Sequence, residues 1–221
     1  MTLSFIFLLI FFFVWSYILE LIALLLVNNK PKFFFYNHSI FSILLLLTST
    51  ISLYSAYKAN IPNFPILFFY LSALWITIHT DIRYMLISRL VSLYLVPIGI
   101  IASIYEYLPI HPIESILVSF SASLFFIIIN KIFYFLKGHD GLGQGDIELI
   151  ACIGAWTGFF GTWFTITCSS ISGTIIGYFY IFFINPKIRI FPFGPFLAFS
   201  NIIYIIHQQK IIQTVFNTLL Q

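Results

Sequence analysis

The stretch GLGQGDIELIACIGAW, Gly141 to Trp156, sets a single carboxylate, Asp146, behind three glycines at alternate positions and ahead of an apolar helical run. A charged side chain at the mouth of a membrane span is costly, which makes it a functional candidate. Glycines remove side-chain bulk, so another backbone or an extended peptide can come close to that carboxylate. Gly143 and Gly145 are therefore substrate-binding candidates, and Glu148, two residues past the acid, is grouped with them. A second lone acid, Asp81, ends another apolar run upstream. Two such carboxylates on one membrane face are the equipment of an aspartic protease.

Composition sets the surroundings. The 221 residues are 61% hydrophobic and 20% aromatic, with 8% charged and a mean hydropathy of +1.04. Soluble domains carry about 25% charged residues, so the chain reads as an integral membrane protein in contact with the lipid bilayer. No polar segment exceeds roughly a dozen residues, too short for a separate soluble core. The net charge of +3 gives no support to nucleic-acid binding. Cys152 and Cys168 lie in apolar runs and read as packing residues. With no CxxC pair and no HExxH frame, no metal or cofactor is expected. The five histidines, His38, His79, His111, His139 and His207, read as interfacial. The apolar run Thr2–Val27 lacks a basic start and a small-residue cleavage site, and reads as a span, not a removed leader.

About twenty apolar residues cross a bilayer, and the chain parses into about eight such segments. They are Thr2–Val27, Ser39–Tyr57, Phe64–His79, Leu90–Tyr107, Ile113–Leu136, Ile147–Phe160, Thr162–Ile184 and Phe193–His207. The expected fold is an all-α polytopic helix bundle, with two N-terminal spans (1–63) followed by a core (64–207). Lys30, Lys32, Arg83, Arg89, Lys131, Lys137, Lys187 and Arg189 fall on one side of this parse, and only Lys58 and Lys210 on the other. Eight against two is a positive-inside signal that puts both termini on the non-cytoplasmic side. Two crossings separate Asp81 from Asp146, so parity alone sets both on the cytoplasmic face.

Seven acids are available: Glu20, Asp81, Glu106, Glu114, Asp140, Asp146 and Glu148. Glu106 and Glu114 flank an outward turn and read as solvated. Glu20 lies inside the first span, as a packing or snorkelling residue. Asp140 reads as a loop charge. Asp81 and Asp146 remain as the best-placed catalytic pair. Close carboxylates do not readily ionise together, so one takes a proton from water while the other polarises the scissile carbonyl. The plainer reading makes them interfacial acids balanced by Arg83 and Lys137.

Three blocks add to this. Gly143-Gln144-Gly145-Asp146 resembles the GxGD signature of membrane aspartic proteases, and the run Gly141–Gly158 resembles the corresponding block of type IV prepilin peptidases. FPFGPFLAF, Phe191 to Phe199, resembles that family's entry to its last span. DIRYMLIS, Asp81 to Ser88, resembles the block in which an aspartate is followed six residues later by an aliphatic residue, here Ile87. The resemblance implies an inner-membrane peptidase that cuts the leader from type IV prepilin or type II secretion pseudopilin precursors at the cytoplasmic face. It implies Asp81 and Asp146 as the catalytic pair.

The chain departs from the family's pattern at named positions. Ser88 and Arg89 stand where the family usually has proline and then Asn or Asp, and Glu148 stands where lysine is common. Many members carry two CxxC pairs after the first span, associated with N-methylation of the product. Here that turn is only Asn28 to His38 and holds no cysteine, so a processed product is expected to keep a free amine. Two other readings stand beside this one: a non-catalytic membrane assembly or transport subunit, and a presenilin-like GxGD protease. The latter's Pro-Ala-Leu tripeptide is absent, and no inverted repeat favours a transporter.

Overall fold

The computed structural model describes residues 2–27, 38–59, 61, 63–183 and 192–219, and among them all regular structure is helical. The elements are α1 (Thr2–Val27), α2 (His38–Lys58), α3 (Phe64–Tyr84), α4 (Leu95–Ile104) and α5 (Pro112–Lys137), then a 40-residue helical run, Gln144–Phe183. That run breaks at Gly158, whose φ of 64° and ψ of −163° belong to a region essentially reserved for glycine. Its halves are α6 (144–157) and α7 (159–183). The last helix is α8 (Gly194–Leu219). Four stretches are long and apolar enough to cross a membrane: Ile6–Val27, Phe64–Tyr84, Pro112–Lys137 and Gln144–Phe182.

The helix ends follow local chemistry. Pro65 and Pro112 sit in the first turns of α3 and α5, where a missing N–H costs nothing. The His111 ring caps α5 by accepting the Ile113 N–H at 3.3 Å, and Gly138, in the left-handed region at φ 75°, closes it by donating to the Tyr134 carbonyl. Met85 ends α3 in the same left-handed region, its N–H bonded to the Asp81 carbonyl at 2.8 Å.

Side-chain pairings fix the chain's course. Phe12, Trp15 and Glu20 of α1 meet Phe68, Ser72 and Arg83 of α3, so these two run parallel. α8 runs against α3, with Asn201 at Tyr70 and Gly194 at Asp81. α6 also opposes α3, since Trp156 stacks on Tyr70 with ring centroids 4.3 Å apart. Ser115 of α5 donates to the Ala155 carbonyl of α6 at 2.7 Å, whereas Asn130 reaches Gly141 and Leu142. Gly161 and Gly173 of α7 lie level with Tyr204 and Phe193 respectively, so the chain reverses at Gly158. The last turns of α5 and α7, 131–137 and 174–183, therefore run on past the level of Gly141 and Phe193.

Every residue from Tyr70 to Asp81 is buried, which makes α3 the central helix. α5 is its opposite: its buried residues are Ser115 and Ser119, while Phe120, Phe125 and Phe135 are exposed. Ser119 Cα would stand 3.0 Å from a Cβ at Gly154. Small residues at helix contacts and bulky ones outside are the packing of helices in lipid. Asn201, fully buried, joins three helices to α8: it accepts from the Tyr70 hydroxyl at 2.9 Å and donates to Thr165 at 2.9 Å and Thr157 at 3.4 Å.

Several boundaries differ from the sequence parse. The segment Leu90–Tyr107 is helical only over the ten residues Leu95–Ile104, preceded by turns. The break expected near Phe160–Thr162 falls at Gly158, where Glu114, read as solvated, accepts the Phe159 N–H at 2.9 Å and caps α7. His79, read as interfacial, is completely buried in α3. Glu20 forms a buried ion pair with Arg83, which also donates to Ser42 at 2.7 Å. The Asn28–His38 turn lies outside the described residues but for His38, as do Lys187 and Arg189.

Candidate active site

Asp81 and Asp146 belong to helices, not to the loops beside them. Asp81 lies in the last turns of α3, and Asp146 in the first turn of α6. The turn before Asp146 is a short-range cap: Gly143 O accepts the Asp146 N–H at 3.1 Å and the Ile147 N–H at 3.3 Å. The Gly143 N–H in turn is directed at the Asp146 carboxylate. An acid reaching back three positions to the N–H of the residue before the helix is one half of a capping box. It fixes the side chain of Asp146 through the backbone.

Asp81 is held from another side. It is 5% exposed, and the backbone N–H of Gly194 at the start of α8 is directed at its carboxylate. The two carboxylates are close enough for their charges to interact. Each keeps one buried oxygen, Asp81 Oδ2 and Asp146 Oδ1, with no hydrogen-bond partner among the described residues. Buried carboxylate oxygens are normally paired. Two unpartnered oxygens on interacting carboxylates of two helices are free to bind a water and a carbonyl oxygen. No group of three or more His, Cys, Asp or Glu suited to a metal occurs among the described residues.

The glycines serve close packing around this pair. A Cβ on Gly145 would stand 2.9 Å from Ile87 Cβ, so the close approach allowed there is that of Ile87, the aliphatic residue six past Asp81. Ile87 Cδ1 also lies 2.7 Å from where a Cβ on Gly194 would be, so one side chain wedges between the starts of α6 and α8. A Cβ on Gly143 would meet Asp146 Oδ2 at 3.0 Å. Glu148 is engaged internally: Oε1 lies 3.4 Å from Arg89 Nε and 3.2 Å from Gln144 Nε2, and Oε2 accepts from Ser92 Oγ at 3.2 Å.

Two residues around the pair were not singled out from the sequence. Asn130 anchors the glycine loop, its Oδ1 accepting the N–H groups of Gly141 at 2.8 Å and Leu142 at 3.0 Å, while its Nδ2 donates to Asp140 at 3.1 Å. A lone asparagine in an apolar run is the signal that could have found it, because such a residue needs partners. Gly194 lay inside a quoted block, but its contact with Asp81 spans more than a hundred residues and has no local signature.

A family profile described as "Type IV leader peptidase family" matches residues 68–178, from α3 into α7, and contains both aspartates and Ile87. The chain is similar to the prepilin leader peptidase/N-methyltransferase of Legionella pneumophila, 34% identical over 163 residues covering 71% of this chain and 55% of that protein. It is similar to the protein of the same name in Xanthomonas campestris pv. campestris, 29% identical over 126 residues, 55% of this chain and 42% of the other. The corresponding protein of Pseudomonas aeruginosa is 32% identical over 99 residues, 43% of this chain and 34% of the other. The chain spans about half the length of the curated relatives it matches. No solved structure matches it significantly.

Proposed function

The chain belongs to the type IV leader peptidase family, and on that premise we propose that it is a membrane aspartic endopeptidase that removes leader peptides from prepilin-like precursors, type II secretion pseudopilins among them. The observation that carries the reading is the pairing of Asp81 with an Asp146 close enough for their charges to interact, each with a buried oxygen left unpartnered. In the proposed reaction, water attacks the scissile carbonyl carbon and gives a proton to one carboxylate. The other, protonated, donates its proton to the carbonyl oxygen. Collapse of the tetrahedral adduct breaks the C–N bond: the first carboxylate returns its proton to the leaving amine, and the second regains its own from the adduct's hydroxyl.

Helix placement supports a division of labour. Asp146 sits at the start of α6, where unpaired N–H groups favour a negative charge, and Asp81 sits near the end of α3, where carbonyls disfavour one. Asp146 is accordingly the base and Asp81 the acid. The cytoplasmic face of the inner membrane is proposed from charge. Arg83, Arg89, Lys131 and Lys137 lie toward the aspartate end of the bundle, and Lys58 and Lys210 toward the other. We read the eight helices as eight crossings with both termini outside, the arrangement that this charge pattern favours.

Asp81→Asn and Asp146→Asn are each expected to abolish cleavage of a prepilin-like substrate in isolated membranes, while the protein remains inserted at its normal level. Full activity of either variant would remove the pair from the chemistry and leave a non-catalytic role.

A further inference from the structure

Asp81 and Asp146 stand on different helices, and the segment that joins those helices at the level of the carboxylates is the turn region 85–94, which leaves α3 just after Asp81. It reaches α6 through two contacts: Ile87 fills the space beside Gly145, and Arg89 and Ser92 hold the carboxylate of Glu148. Glu148 is two residues past Asp146, about 200° around the helix, so its side chain points away from the aspartate. It cannot join the pair. Its side chain is 12% exposed, whereas that of Arg89 is 65% exposed. The carboxylate is thus drawn inward against the turn, and the arginine covers it from the water side. An acid so enclosed beside a membrane helix needs a counter-charge. Arg89 and Glu148 are also two of the positions at which the chain departs from the pattern of its motif blocks, and they depart as partners.

We propose that Arg89 and Glu148 form a positioning clamp that sets the spacing between Asp81 and Asp146 by tying the turn behind one to the helix that carries the other. The clamp touches no reacting atom. It rests on the peptidase reading for its consequence, but not for its existence. With Asn130 holding the glycine loop on the α5 side, α6 is gripped at its first turns from two directions.

The test uses Arg89→Glu, Glu148→Arg and the double variant that exchanges the charges, assayed in membranes on a prepilin-like substrate. Each single variant is expected to lose about tenfold in kcat with KM within about threefold, because misplaced groups cost rate and not binding. The double variant is expected to recover to within about threefold of the parent, the signature of a direct pair in a double-mutant cycle. A double variant no better than the worse single one overturns the clamp. So does a loss confined to KM in Glu148→Arg, which would put Glu148 on the substrate instead. If a reversed charge prevents insertion, Arg89→Gln and Glu148→Gln replace the single variants, and non-additive losses of kcat are expected. Should the parent cleave nothing, the peptidase reading fails by itself. Thermal unfolding of the purified proteins then decides the contact: recovery of the midpoint in the exchanged pair keeps it, and additive losses remove it.

Discussion

Adding one methyl group at Gly194 tests how closely the site is packed. An ideal Cβ there lies 2.6 Å from Asp81 Oδ2, 3.3 Å from Asp81 Cγ and 2.7 Å from Ile87 Cδ1. Moving the oxygen to 3.0 Å, the shortest separation real Cβ atoms show, takes 0.4 Å; reaching ordinary contact at 3.4 Å takes 0.8 Å. Asp81 cannot escape by rotating outward, since it and every residue back to Tyr70 are buried. Its carboxylate must therefore shift relative to Asp146. A misplacement of about 1 Å costs about a hundredfold in rate, so Gly194→Ala is expected to lower kcat about ten- to a hundredfold. Gly173→Ala is the control: a Cβ there meets Phe193 at 3.5 Å and Phe196 at 3.7 Å, ordinary contact. Alanine favours a helix interior over glycine by about 1 kcal/mol, so helix propensity works against any loss at Gly173, while Gly194 opens α8, where that preference does not apply. The assay is initial-rate cleavage in membranes at matched protein levels. Equal activity of the two variants would refute the close approach of α8 to Asp81.

Other outcomes follow from features away from the pair. Asn201→Leu removes the hydrogen bonds to Tyr70, Thr157 and Thr165; with about 0.6 kcal/mol for an average interhelical bond in a membrane and up to about 1.7, a loss of about 1–2 kcal/mol should appear as a lower unfolding midpoint in detergent. Arg83→Met strands the Glu20 carboxylate, 10% exposed in the side chain, and breaking a buried ion pair this way costs about 3–5 kcal/mol; the double variant Glu20→Leu/Arg83→Met should be more stable than Arg83→Met in the same unfolding assay. Mass spectrometry of a product processed by this protein alone should show an unmethylated N-terminal amine, since the short Asn28–His38 turn leaves little chain for a methyl-donor pocket.

What could be read from the sequence was whatever repeats locally. Apolar length gave α1 and α5 within a residue or two of their ends, and prolines, Gly138 and polar breaks gave many of the boundaries. Parity put Asp81 and Asp146 at one level, and the contacts of α3, α6 and α8 bring them together. Positions that depend on a distant partner were not legible. Hydropathy ended the third span at His79 because charged residues follow, yet α3 continues to Tyr84, as Arg83 finds Glu20 and Asp81 finds Gly194. Glu114 was read as solvated because nothing nearby suggests that it caps a helix start 45 residues on. The fourth span was overestimated, since Leu90–Tyr94 is apolar but spent in turns that serve Glu148.

The overhang of α5 and α7 sets a depth. Beyond Asn130, α5 has seven more residues, and beyond Gly173, α7 has ten; at about 1.5 Å per residue these tips reach about 10–15 Å past the level of the aspartates. Both tips carry exposed apolar side chains, Phe135 and Leu136 on one, Tyr178 and Phe182 on the other. The aspartates thus lie short of the tips of two helices whose side chains are largely exposed. An extended peptide advances about 3.3 Å per residue, so about three to five of its residues would span the distance from those tips to the aspartates. For the proposed peptidase, helix length here is a ruler for how much of a precursor lies extended beside the tips when its scissile bond is at the pair.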